Sequence, residues 1–325
     1  MDENILTELY RKRGISKQKL DAAIEAVRKL EEFLSAEGVL LSDADVERVR
    51  CYCNSLSADR DPPVDDFRAI ARYFYLTGRS DIYLYFTPLF GGGGVLESIR
   101  DRAEELEGKD VAERVFSQVC IKPAGTPPEH LPPCAAKLMD NLINELPPER
   151  YRKILAGNHH GIPKESFEKE HGFLKAAGSL DIYLADRHER MISELQEHCD
   201  KGLIWYEQLI TQEVVELVRS EPEMLSANRD GGILHITKIP YDPARWLNEK
   251  DPEMKKYHAC HCPFVREALR SKGTKPAADW CYCSCGFEKW MFDNLLGADL
   301  EVELLESVLL GHDRCRFAVK LPEVL

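Results

Sequence analysis

Thirteen residues carrying five prolines, 121–133 (IKPAGTPPEHLPP), constrain this chain more than any other stretch. Each pyrrolidine ring locks φ and removes an N–H, so neither a long helix nor a central strand can run through. The segment reads as an extended connector. The 325 residues are then expected to fall into a part at 1–120 and a part at 134–325.

The first part reads as helical. Leu20, Ile24, Val27, Leu30 and Leu34 recur near a 3.6 period and Gly38 follows as a stop. Ser42 to Asp45 can cap a helix through Val46, Val49 and Leu56. A breaker at Asp59–Pro63 precedes another helix with Phe67, Ile70, Ala71, Phe74 and Tyr75 inward. Gly91 to Gly94 lack the Lys and Ser/Thr of a phosphate loop, because Val95 and Leu96 stand there. A turn before a helix is the expectation.

After the connector, helices are predicted at about 134–145, 148–156, 165–176, 179–200, 211–220 and 221–227. The period then changes. Ile233 to Ile239 alternates and reads as a strand. A helix is expected from Pro263 to Gly273, a strand end at Trp280–Ser284, and a helix from Gly286 to Leu296. Residues 301–310 and 314–321 read as a hairpin, with Cys315, Phe317 and Val319 on one face. The fold class expected is α+β: an all-helical N-terminal domain, then helices on a small antiparallel sheet.

A net charge of −13, without any Lys/Arg-rich block, argues against nucleic acid as partner. No run of ~18 apolar residues reads as a membrane span. The charged start, MDENILTELYRKRG, is unlike a signal peptide. A cytoplasmic location is expected. Of eleven cysteines, six lie in the last 75 residues. In a reducing compartment such clustering reads as metal binding or reactivity rather than disulfides.

Three pieces carry that chemistry: His258-Ala259-Cys260-His261-Cys262-Pro263, Cys281-Tyr282-Cys283-Ser284-Cys285-Gly286, and His312-Asp313-Arg314-Cys315. On extended backbone, residues two apart share a face. Cys260 with Cys262, and Cys281 with Cys283, would then present paired sulfurs. Cys262 precedes a proline suited to the first helical position, where unpaired N–H groups favour thiolate. Cys285 before Gly286 is read in the same way. Two uses stay open. A thiolate, Cys283 or Cys262, attacks an electrophilic carbon while His261 or His258 moves protons. Alternatively Cys260, Cys262, Cys281, Cys283 and Cys315 supply ligands for zinc, although C-x-C is not the usual C-x2-C spacing. Trp280 and Tyr282 crowd the cysteines, and Arg266 or Arg316 is suited to a carboxylate. Asn158-His159-His160-Gly161 offers two more imidazoles. Ordinary burial of cysteine as a small apolar residue competes with both uses.

The stretch YHACHCPFVREAL…WCYCSCGFEKWMFDNLLG…VELLESVLLGHDRCRFAV resembles two related groups. One is the 4-vinyl reductase-type small-molecule-binding domain, whose closing G-D-D-x-C-x-F strand is matched by Gly311 to Phe317. The other is the 2-amino-thiazoline-4-carboxylate hydrolase-like family, whose three spaced cysteine segments are matched at Cys262, Cys283 and Cys315. Residues 150–325 look most like an uncharacterised bacterial and archaeal domain. The resemblance implies an apolar pocket between helices and sheet, and a cysteine hydrolase acting on C–N bonds of a small molecule, or a zinc-stabilised sensor of such a ligand. Leu304 and Ser307 replace the cysteine and acid of the reductase-type zinc site. Assembly into homo-oligomers stays open.

Overall fold

Amphipathic spacing accounts for most of the helices, and side-chain caps at Asp2, Ser16, Asp45, Ser179, Asp242 and Asp251 start six of them. In this computed structural model, residues 1–57, 61–271 and 273–322 are described; the start of the breaker expected at Asp59 lies outside them. The chain forms two compact units, Met1–Gly93 with Lys122–His130, and Gly94–Ile121 with Leu131–Leu325. The division thus falls at Gly93 rather than at residue 120.

The first unit contains helices α1 (Glu3–Lys12), α2 (Lys17–Ala36), α3 (Val46–Ser57), α4 (Val64–Leu76) and α5 (Ser80–Gly91). Asp45 accepts from the Arg48 N–H at 2.8 Å, the cap expected for α3. Leu6, Val27, Leu30, Leu34, Ile70 and Phe74 meet in its core.

The second unit begins with α6 (Val95–Glu107) and α7 (Lys109–Val115). Then come α8 (Pro132–Glu145), α9 (Pro148–Leu155), α10 (Glu168–Ala177) and α11 (Leu180–Lys201). A two-residue hairpin follows, β1 (Ile204–Trp205) with β2 (Gln208–Leu209), and then α12 (Gln212–Ser220). Next are β3 (Asn228–Asp230), β4 (Ile233–Thr237), α13 (Pro243–Asn248), α14 (Pro252–Ala259), α15 (Arg266–Ser271) and α16 (Tyr282–Leu296). Strands β5 (Glu301–Glu306) and β6 (Arg316–Lys320) close the chain. Four strands form an antiparallel sheet in the order β3-β4-β6-β5. The architecture is α+β. Among the described residues, no helix is long and apolar enough to cross a membrane.

The sheet buries one face. Leu234 pairs with Val319 and Ile236 with Phe317, and all four are buried. Burying one such side chain contributes roughly 1.5–3 kcal/mol. Val302 and Leu304 continue the same rows on β5.

Three sequence expectations are corrected. Residues 221–227 are not helical: Leu225 sits at φ +60° and Met224 bridges Thr237. Trp280–Ser284 is no strand. A 3-10 turn at Ala278–Cys281 runs directly into α16, so Cys283, Cys285 and Gly286 lie within the helix. The misreading has a cause. Tyr282, Cys283, Cys285, Lys289, Phe292 and Leu295 are buried around much of the helix circumference, which erases the 3.6-residue stripe. The expected 263–273 helix begins regularly only at Arg266, and the Lys272 before its stop lies outside the described residues.

Gly286 is where α16 meets the end of α9. A Cβ there would lie 2.4 Å from the Gly157 carbonyl oxygen and 2.8 Å from that of Ala156. Gly286→Ala is expected to destabilise the protein by about 1–3 kcal/mol through forced separation of these backbones. Urea unfolding of the variant beside the parent measures it.

Candidate functional site

Strand pairing brings the pieces together. β4 and β6 lie side by side, and just beyond β4 the Lys238 N–H donates to the Cys315 carbonyl at 2.9 Å. That places the residue after β4 next to the residue before β6. The α16 helix supplies Cys283, Phe287 and Glu288 from below.

Cys262 starts a turn that leads into α15. The Val265 and Arg266 N–H groups donate to its carbonyl at 3.1 and 2.9 Å. Its sulfur accepts from the Trp280 indole N–H at 3.3 Å, and the Phe264 and Val265 N–H groups lie near enough to favour its anion. Burial pushes the Cys262 thiol up, and these donors, with the charge of Lys238, pull against that. Only Cys262 and Cys315 of the six clustered thiols keep partial exposure; Cys260, Cys281, Cys283 and Cys285 are buried.

Buried thiols belong to the interior. Burial pushes Cys283 up to about 12 and holds Cys260, Cys281 and Cys285 well above the ordinary thiol range. Helix geometry also separates the pair expected at Cys281 and Cys283, since residues two apart on a helix do not share a face. The sulfurs nonetheless gather: Cys260, Cys262, Cys281 and Cys315 lie close enough for the charge on one to bear on others. The Ser307 hydroxyl and the Leu309 N–H favour the anionic form of Cys281, and the Val308 N–H that of Cys315, against the upward push of burial. Among the described residues, no group of three or more His, Cys, Asp or Glu side chains is arranged to hold a metal ion.

The histidines divide by their partners. A carbonyl only accepts, so the 2.7 Å contact of His261 Nε2 with Ile239 O puts the proton on Nε2. Nδ1 is then the basic nitrogen. Burial, Lys238 and Arg266 keep this imidazole neutral, its pKa lowered to about 3. His159 is likewise committed, between Ile154 O at 2.8 Å and Ser98 Oγ at 3.0 Å, and burial lowers it to about 4. His160 keeps solvent access yet is crowded by protein, edge-on to Phe287 at 5.2 Å, and is lowered to about 4. His258 is buried between Asp242 at 3.8 Å and Glu249 at 3.7 Å, and its Nδ1 has no hydrogen-bond partner.

The two arginines differ in availability. Both oxygens of Glu223 grip Arg316 at 2.7 Å, and Thr237 Oγ1 donates to the same carboxylate. Arg316 is therefore a structural ion pair rather than the ligand-binding arginine expected. Arg266 is stacked between Tyr241 at 3.9 Å and Tyr257 at 4.3 Å, a pre-organised cation. Tyr282 is buried against Arg152, its ring centroid 5.1 Å from the guanidinium.

Three residues near the cysteine cluster, Lys238, Glu207 and Glu288, escaped sequence reading. Lys238 Nζ lies 3.3 Å from Glu288 and 4.3 Å from the Phe287 ring centroid. Its charge bears on Cys262, Cys283, Cys315, His160, His261 and Glu207. Burial raises Glu207, while Arg266, Lys238 and a hydrogen bond from Tyr241 pull it down. One signal was available: Lys238 continues the core-facing alternation of Leu234 and Ile236, an unusual place for a lysine.

A family of unknown function (DUF6144) matches residues 242–324. No curated protein and no solved structure matches the chain. The matched span holds all six clustered cysteines, whereas His160, Glu207 and Lys238 lie outside it.

The depressed histidines predict acid sensitivity. The unfolded chain takes up protons near 6.5, while folded His159 and His261 refuse them down to about 4 and about 3. Their contribution is full above 6.5 and is lost as pH falls toward those values. Urea midpoints across that window should fall, and His261→Gln should fall less steeply.

Proposed function

We propose that this protein is a thiol-dependent hydrolase of small molecules, with Cys262 as nucleophile. The observation that carries this reading is Cys262: a half-buried residue whose sulfur accepts from the Trp280 indole N–H at 3.3 Å, with the Phe264 and Val265 amides beside it. Such donors stabilise sulfur as an anion, the form that attacks. Cys283, deeply buried and pushed up to about 12, suits the role less well.

The chemistry would run on an amide-like or amidine-like carbon. The Cys262 thiol gives its proton to water, because His261, lowered to about 3, is too weak a base, and the sulfur bonds to the carbon. The C–N bond breaks, and the leaving nitrogen receives that proton. Water then attacks the carbon, the C–S bond breaks, and the thiol is restored. Arg266, held flat between two tyrosine rings, suits an anionic group on the substrate.

A second reading has its own support. Cys260, Cys262, Cys281 and Cys315 are neighbours; the Cys262 sulfur accepts from the Trp280 indole, and backbone N–H groups lie near Cys281 and Cys315. Such donors also suit thiolates that bind zinc, in a domain that holds a ligand without catalysis.

Iodoacetamide labelling with peptide mapping, beside zinc analysis of purified protein, separates the two. The hydrolase reading expects Cys262 to be modified first, with no stoichiometric metal, and Cys262→Ser to lose the fast phase. Stoichiometric zinc with all cluster thiols protected overturns it in favour of the binder. Fast labelling only at Cys51 or Cys120, both exposed, overturns it as well.

A further inference from the structure

We infer that the turn between α1 and α2 is a docking site for a short acidic segment of a partner protein: five cations share one exposed tip there, and four of them have no ion-pair partner. The inference is independent of the thiol site.

The case starts from two short basic runs, Arg11–Arg13 and Lys17–Lys19, neither of which contains an acid. Neither is a basic block along the chain; folding joins them. Gly14 sits at φ +63° and lets the chain reverse, and the Ile15 N–H donates to the Tyr10 carbonyl at 3.0 Å. Ser16 then caps α2 by accepting from the Lys19 N–H at 3.4 Å. At the far end the Arg28 guanidinium donates to Glu3 at 2.7 Å. The two helices therefore run antiparallel, and both basic runs lie at the same end of the pair. Arg11, Lys12, Arg13, Lys17 and Lys19 are all exposed.

Charge pairing sets these residues apart from the rest of the unit. Arg28, Arg48, Arg50, Arg68 and Arg79 each have a carboxylate. At the tip Lys12 pairs with Glu8 at 2.7 Å, whereas among the described residues Arg11, Arg13, Lys17 and Lys19 form no ion pair. Lys17 and Lys19 also stand in the first turn of α2, which holds no acid. That is the positive end of the helix, where a cation is disfavoured and an acid would serve stability better. In a chain of net charge −13, this tip presents concentrated, uncompensated positive charge.

The size of the tip selects the partner. Glu8 on α1 and Asp21 on α2 border the cations. The basic zone thus covers about one turn of each helix, about 5 Å along the axis. A duplex or a bilayer is far larger and would bring its own negative charge onto those acids as well. Ile15 is the apolar residue of the tip and is half-buried, which leaves no exposed ring to stack on bases and no anchor for lipid. An extended run of roughly three to five acidic residues spans about 10–17 Å and matches the zone.

Fluorescence anisotropy of a fluorescein-labelled hexaglutamate peptide, titrated with the full chain at low ionic strength, tests this. Binding is expected, and it should weaken about tenfold between about 0.05 and about 0.2 M salt. Lys17→Glu with Lys19→Glu should weaken it by at least about tenfold while raising the melting temperature by about 1–3 °C, because acids suit that helix end. Arg11→Gln with Arg13→Gln should weaken it as well, and decides the matter if the first pair does not fold. No binding by the parent, or variants that bind like the parent, overturns the inference. Tighter binding of duplex DNA or phosphatidylserine vesicles than of the peptide overturns it too, as does a salt-sensitive dimer in sedimentation, which would give the tip to a second copy of the chain.

Discussion

The pairing of β4 with β6 is the constraint on which the candidate site depends. Five residue pairs, from Ile233–Lys320 to Thr237–Arg316, join segments about eighty residues apart. Closing so long a connection costs conformational entropy, though the cost grows only slowly with length. The apolar rows across Leu234, Ile236, Phe317 and Val319 offset it. A slip of one residue would turn those side chains to the other face. It would also part Lys238 from Cys315. Register and chemistry are therefore set by the same buried contacts.

A second layer of order comes from α16. Gly286 lets the helix approach Ala156 and Gly157, and the Trp290 indole N–H donates to Ile162 O at 2.9 Å. The 157–163 loop is thereby fastened to the helix at both ends. This is why His160 stands against Phe287 while its neighbour His159 turns inward to Ile154 and Ser98. Adjacent histidines thus take unlike environments from one fixed turn.

Most of what surrounds the clustered cysteines is apolar core, and that decides how the few polar groups there behave. Sulfurs without enough donors stay protonated, and imidazoles without a nearby acid stay neutral. Cys262 is pushed up by burial as well, but the Trp280 indole N–H on its sulfur and the amides of Phe264 and Val265 pull against that. Arg316 differs from Arg266 for an equally local reason: Glu223 occupies both prongs of the first, and aromatic faces leave the second its charge.

Local pattern by itself determined many elements. The strand at 233–237, the closing hairpin, the Asp45 cap and the long helix ending at Lys201 were all legible, because periodicity, capping and turn residues act over a few positions. So was the crowding of cysteines toward the C-terminus. Tertiary structure alone decided that WCYCS belongs to a turn and helix, since burial around much of its circumference hides the period. It also decided that Arg316 is already paired and that Lys238, Glu207 and Glu288 join the thiols. Those facts depend on which strand lies beside which and how far a charge is from water, and neither is written in any short run of residues.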